Sequence, residues 1–345
     1  MSPKQRVVAF ILLCVWTLGG PAWAAEAEQS GSGAVAAVDS IAITVGDADR
    51  AAEFYSRVLT FEKVADREVA GEEYEHLFGV FGARVRAVRM RLGEEYVELL
   101  QFLAPRGRPV PIDSQSNDRW FQHIAIVVSD MDSAYAKIRS FHVEYASTAP
   151  QRLPDWNPNA AGIRAFYFRD PDGHNLEIIQ FPPDKGLSKW HNRAGQIFLG
   201  IDHTAIVVSD TEASLAYYRD TLGLHIIGTS DNYGIEQEHL NNVFGAHLRI
   251  TSLRAPKGPG VEFLEYIAPR NGRPLPTESR ANDLWSWQIV MRTGRPQAVE
   301  SSLHRARTPL VSSGLTHLGH TDLDWQNAFI ARDPDGHMTL ITGEK

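Results

Sequence analysis

Only one cysteine, Cys14, occurs in the 345-residue chain, and it falls within the N-terminal segment. Without that segment no cysteine remains, which excludes structural disulfides, a thiol nucleophile and thiolate metal ligands. The chemistry must come from histidine, carboxylates and hydroxyls. Clustered basic charge is missing too. The formal net charge is −8, and loss of Lys4 and Arg6 takes it to −10, so nucleic acid is not an expected partner.

A long hydrophobic span is also lacking. The apolar run at residues 7–18 is short for a bilayer crossing. It follows Lys4 and Arg6 and precedes Ala22-Trp23-Ala24, which has the small-x-small form of a signal-peptidase site. Cys14 lacks the preceding small residues of a lipoprotein site. Residues 1–24 are therefore expected to be a signal peptide cleaved near Ala24, giving a periplasmic or secreted chain with no membrane association. Residues 25–37, small and polar, read as a flexible leader.

What the chain has is repetition. HIAIVVSD at 123–130 recurs as HTAIVVSD at 203–210, NDRWFQH at 117–123 answers NDLWSWQ at 282–288, and DPDGH stands at 170–174 and 333–337. EHL (75–77, 238–240) and VFGA (80–83, 243–246) recur at the same long spacing, which marks duplicated domains, not a solenoid. Within each half, IAITVGD at 41–47 matches IAIVVSD at 124–130. Four modules in two pairs result: 38–103 and 120–181 within a first domain, 38–182, then 201–268 and 285–342 within a second, 201–343. A linker, 183–200, joins them. The length accommodates two domains, and 43% hydrophobic residues are enough for packed cores.

Each module opens with an alternating strand, as at 40–45 and 203–208, that keeps Ala42, Ala125 and Ala205 on the face of the residue two positions before. A helix follows, as at 51–59 and 213–222, with Asp47 and Asp210 as expected caps. Three shorter strands complete a β-α-β-β-β unit. The last two are joined in modules two and four by the DPDGH turn, where His174 and His337 are expected to serve the turn.

These modules, with their His-x-Ala-Ile-Val-Val opening strands, their FY(S/R) helices and their DPDG-then-Glu closing strands, resemble the vicinal oxygen chelate superfamily of glyoxalase I, bleomycin-resistance proteins, epimerases and extradiol dioxygenases. The resemblance covers about residues 38–343. It implies an α+β fold of four βαβββ modules pairing into two half-open barrels, and one divalent metal (Zn, Ni, Fe, Mn or Co) per working site. In the family each module offers one ligand from its first strand and a carboxylate from its last. Those positions here are Ser40, His123, His203 and Gln288, and Glu98, Glu177, Glu262 and Leu340. Glu262 is chosen over Glu265 because aligning Ala104-Pro105 with Ala268-Pro269 sets Glu98 over Glu262 and Gln101 over Glu265.

Two pairings remain open at this level. Pairing within each half leaves both sites impaired. Pairing across the halves gives one complete set, His123, Glu177, His203 and Glu262, and one degenerate set, Ser40, Glu98, Gln288 and Leu340. Either pairing can form within one chain, so a monomer is expected to suffice.

The resemblance implies Lewis-acid stabilisation of an enediolate, with Glu177 or Glu262 as proton shuttle on a small oxygenated substrate. An extradiol ring-cleaving dioxygenase is the alternative, and a metal-free ligand-binding or resistance protein is a third reading. The usual glyoxalase substrate is a cytosolic glutathione adduct, which an exported chain would seldom meet. Trp120, Trp156, Phe166, Phe168 and Tyr266 are candidates for an apolar pocket wall, and Arg86 and Arg249 for holding an anionic group.

Overall fold

The computed structural model describes residues 34–191, 195–318 and 323–343. The expected signal peptide, 1–24, lies outside them. The leader gives way to structure before residue 37: Val35 is buried and its N–H donates to the Leu222 carbonyl. Among the described residues no helix is long and apolar enough to cross a membrane.

Module one holds β1 (Ala37–Thr44), α1 (Ala48–Leu59), β2 (Glu62–Ala70), α2 (Glu72–Phe78), β3 (Arg84–Leu92) and β4 (Glu95–Ala104). Module two holds β5 (Gln122–Val128), α3 (Met131–Ser140), the short β6 (Glu144–Tyr145) and β7 (Gln151–Arg152), then β8 (Arg164–Arg169) and β9 (Asn175–Gln180). In module three β10 (Phe198–Val208) leads to α4 (Thr211–Leu215, continued as a π-helical turn), β11 (His225–Asn232), α5 (Ile235–Asn241), β12 (His247–Arg254) and β13 (Gly260–Ala268). Module four comprises β14 (Trp287–Thr293), α6 (Pro296–Arg305), β15 (Thr316–His317), β16 (Asn327–Arg332) and β17 (Met338–Gly343). The short helices α2 and α5, which contain the repeated EHL, are additions to the expected unit.

The aspartate that ends each of the first three opening motifs caps the next helix. Asp47, Asp130 and Asp210 accept from the backbone N–H three residues on, each cap worth about 1 kcal/mol. Module four has no such aspartate, and α6 starts with Pro296 at its first turn instead.

The sheets join modules across the halves. One runs β15-β16-β17-β14-β1-β4-β3-β2, modules four and one; the other runs β11-β12-β13-β10-β5-β9-β8-β6, modules three and two. The seams are antiparallel pairs of first strands, with Ala42 opposite Gln288 in one and Ala205 opposite His123 in the other. Strand alternation then sorts the side chains. Ile41, Ile43, Ile124, Ile126 and Phe263 enter a core shared by both sheets and the helices, whereas Ala42, Val290 and Leu340 face the concave side of the first sheet. Each fully buried large aliphatic side chain contributes roughly 1.5–3 kcal/mol.

The Pro- and Arg-rich connections act as crossing arms. The N–H, Nε and Nη2 of Arg108 donate to Asp283, and its guanidinium lies 4.7 Å from the Trp285 ring centre. Arg273 repeats this with Asp118 and Trp120, also at 4.7 Å. The NDRW and NDLW motifs are thus docking points for the arms. Gly107 and Gly272 make the approach possible, since a Cβ on either would sit 1.8 Å from a backbone oxygen, that of Asn282 or Asn117.

The DPDGH turns staple one sheet to the other. Asp172 accepts from the Gly46 N–H and Asp335 from the Ser209 N–H. His174 Nδ1 lies 2.8 Å from Asp170 Oδ2, and its Nε2 lies 2.6 Å from the Leu284 carbonyl. With acceptors at both nitrogens, the ring satisfies both only as an imidazolium. Burial opposes that charge, but Asp170 outweighs it and raises the pKa; His337 is raised in the same way by Asp333.

A folded pKa above the ordinary value of about 6.5 gives stability that is complete below that value and is lost as pH rises through the folded pKa. The melting temperature is therefore expected to decline on the alkaline side of neutrality. That slope should flatten in His174→Gln/His337→Gln, as measured by thermal melts from pH 6 to 9.5. An unchanged slope in the double variant would refute the charged-staple account.

Candidate metal centre

The residues of the crossed set meet on the concave face of the second sheet. β5 and β10 run side by side and carry His123 and His203, and their parallel partners β9 and β13 bring Glu177 opposite Ala125 and Glu262 opposite Ala205. His123 Nε2 lies 3.1 Å from Glu177 Oε2, and His203 Nε2 lies 3.7 Å from the same oxygen. His203 Nε2 is also 3.6 Å from Glu262 Oε1. One ligand atom each from His123, Glu177 and His203 fall within 4.8 Å of one another, and all three residues are buried. Glu262 stands at the edge of this cluster, its other oxygen accepting from Ser252 Oγ at 2.7 Å.

The donor set fits a divalent cation. Neither ring nitrogen of His123 nor Nε2 of His203 has a hydrogen-bond partner among the described residues, and buried polar atoms without partners are costly. Burial disfavours charge on His203, yet the carboxylates of Glu262, Asp202 and Glu177 outweigh it and hold its pKa up at about 9. The site therefore draws positive charge to Nε2. Two imidazoles with carboxylates suit Zn, Ni, Fe, Mn or Co, with no selection among them.

The cluster opens into a cavity of about 490 Å³ between modules two and three. Tyr167, Glu177, His203 and Glu262 form its floor, with Ile163, Ile179, Ile227 and Ile250 among its apolar walls. Its lining cations among the described residues are engaged: Lys185 donates to the Pro158 carbonyl, and Arg254 to Asp202.

Several pocket candidates lie elsewhere. Phe166 and Phe168 fall in the shared core, because the odd position between them, Tyr167, is the one facing the site. Trp120 packs under Arg273, Trp156 stacks on Tyr233 outside, and Tyr266 bonds to Asn241 and Ser116. Arg86 pairs with Asp49 and Asp66, and Arg249 with Glu265. Tyr167 was detectable in principle by strand parity, since it is the cross-strand partner of Glu177. Its ring centre is 4.9 Å from that of His123. Glu265 accepts from Thr211 at the start of α4, as Gln101 accepts from Ala48 at the start of α1, so neither faces the concave side.

In the other barrel Ser40, Glu98, Gln288 and Leu340 occupy the equivalent positions, all buried. Arg89 sits opposite Glu98 where Ser252 sits opposite Glu262. Its Nη1 donates to Glu98 at 2.6 Å, and Asp39 bridges it to Arg292. The Arg89 guanidinium takes the space beside Glu98, and burial nonetheless pushes the Glu98 carboxyl up to about 7.

Paired βαβββ modules with histidines on adjoining first strands define a class, and sequence comparison agrees with it. The chain belongs to the Glyoxalase/Bleomycin resistance protein/Dioxygenase superfamily, whose profile matches residues 37–178 and 200–341. It is 34% identical over 155 residues to a 2-epi-5-epi-valiolone epimerase of Actinomyces sp, covering 44% of this chain and 81% of that protein. It is 24% identical over 196 residues to lactoylglutathione lyase of Schizosaccharomyces pombe, covering 55% of this chain and 60% of that one. In structure it is similar to glyoxalase I from Zea mays, with a TM-score of 0.56 at 16% identity over 90% of this chain and 92% of that one. A putative dioxygenase from Bacillus subtilis gives 0.55 at 12% identity, covering 91% of this chain and 86% of that one.

Proposed function

We propose that the chain is an exported, divalent-metal-dependent enzyme of the glyoxalase and epimerase type, which moves a proton next to a carbonyl of a small, uncharged, oxygenated substrate. The observation that carries the reading is the clustering of His123, Glu177, His203 and Glu262, the last three of which line one cavity. Relatives named as an epimerase and lyases support it. His123, His203 and Glu177 would hold the cation. When bound, it supplies Lewis-acid stabilisation of negative charge developing on substrate oxygens.

The protein's own groups divide the remaining work. Glu177, wedged between the two imidazoles, is a ligand. Glu262, at the cluster's edge and steadied by Ser252, faces the cavity and acts as general base. The apolar walls enclose the substrate body, and with Lys185 and Arg254 already engaged the cavity favours a neutral ligand. Export rests on residues 1–24 and removes the cytosolic glutathione adduct as the natural substrate.

Glu262→Gln is expected to retain one metal per chain while lowering turnover by about 10²–10⁴-fold, the usual worth of a positioned base. Elemental analysis and exchange of substrate C–H for solvent deuterium, without oxygen uptake, test this together. Exchange at the native rate in this variant would remove Glu262 from the role.

A second reading has one specific observation in its favour. The tight cluster contains two histidines and one carboxylate, the donor set of oxygen-activating iron sites. Oxygen consumption with Fe(II) and a catechol, and no deuterium exchange, would decide for an extradiol dioxygenase.

A further inference from the structure

The structure assigns Asp202 as the positioning residue of the site, fixing the tautomer and aim of His203, and makes the segment joining the two halves its support. The inference rests on His203 being a ligand, as proposed above. Adjacent residues of a strand ordinarily point to opposite faces. Here the pairing of β10 with β5 slips between Ile201 and His203, and this bulge brings the Asp202 carboxylate back against the neighbouring ring. Asp202 Oδ2 lies 3.0 Å from His203 Nδ1. An acceptor at Nδ1 keeps a proton there and leaves Nε2 to face His123, Glu177 and Glu262.

Asp202 is itself held. Its Oδ1 accepts from Trp190 Nε1 at 3.0 Å and from Arg254 Nη2 at 2.7 Å. Trp190 belongs to the connection between the halves, where residues Ser188–Trp190 form a 3-10 turn. Its ring is fixed from two sides. Lys189 Nζ lies 4.4 Å from the ring centre and bonds to Glu95 of module one, and Gly200 leaves room for the indole, since a Cβ there would be 2.8 Å from it. Phe181, Lys185 and Leu187 of the same connection line the cavity.

His123 has no equivalent, for its Nδ1 finds no partner among the described residues. The other barrel shows what the connection adds. Asp39 occupies the matching bulge beside Ser40, but its partners are Arg292 and Arg89.

Metal titration of the mature protein with Co(II), together with ¹⁵N NMR of the histidine rings in the metal-free protein, tests the assignment. Asp202→Asn is expected to weaken Co(II) binding by roughly 10- to 100-fold and to alter the His203 Nδ1 resonance while leaving that of His123 in place. Trp190→Phe, which keeps the packing but removes the N–H donor, should weaken binding in the same direction and by less. Unchanged Co(II) affinity and an unchanged His203 signal in both folded variants would overturn the assignment. The two readings separate on His203→Ala: if it retains Co(II), the ligand assignment itself fails; if it loses Co(II) while both other variants bind normally, only the role of Asp202 fails.

Discussion

His203→Ala is expected to abolish stoichiometric metal binding and to lower turnover by more than about 10³-fold, because the several kcal/mol of charge stabilisation supplied by the cation are lost with it. Gln288→Ala, at the position equivalent to His123 in the other barrel, should keep one metal per chain and native turnover. The contrast follows from the two environments. The site of His203 gathers imidazole nitrogens without hydrogen-bond partners beside two carboxylates, whereas Gln288 shares its barrel with Ser40, Leu340 and the Arg89–Glu98 ion pair. Elemental analysis of the two variants is sufficient. Full metal in the first and loss in the second would reverse the assignment of the barrels, and two metals per chain in the native protein would contradict a single working site.

Gly272→Ala is expected to damage the fold severely although it adds a single methyl group. A methyl group there would stand 1.8 Å from the Asn117 carbonyl oxygen, so the arm must lift. Lifting it separates Arg273 from Asp118, which is 2% exposed and would be left buried without its cation. Because Arg273 itself is half-exposed, the loss is that of the hydrogen bonds left unmade at the buried carboxylate, roughly 1–3 kcal/mol, against the roughly 5–15 kcal/mol that keeps a domain folded. Gly107→Ala should do the same through Asn282 and Asp283. Urea unfolding midpoints measure the loss, and a shift below about 1 kcal/mol in either variant would show that the arms are not tightly docked.

Repetition is why so much of the fold could be read from the chain. Three opening strands of one pattern and the repeated NDxW and DPDGH motifs gave the module, and the aligned Ala-Pro pairs separated Glu262 from Glu265, whose side chains face opposite sides of β13. The pairing of modules could not be read the same way, because strand alternation is identical whichever module lies alongside. It depends on the antiparallel seams of β1 with β14 and β5 with β10. Asp202 and Trp190 escaped notice for a different reason: a bulge breaks the period of two, and a linker carries no period. Phe166 and Phe168 were drawn toward the pocket by their aromatic character, although the parity of β8 sends them into the core.

The crossed pairing also leads to an expected order of assembly. The sheet that carries His123 and His203 draws its strands from one continuous stretch, Gln122 to Ala268, and is complete once that stretch is available. The other sheet cannot close until Ala37–Thr44 at one end of the folded body meets Trp287–Thr293 near the other, and such distant contacts form slowly. The barrel with the candidate metal centre is therefore expected to form first, and the barrel with the Arg89–Glu98 pair at the equivalent positions to be the one whose first strand waits longest for a neighbour.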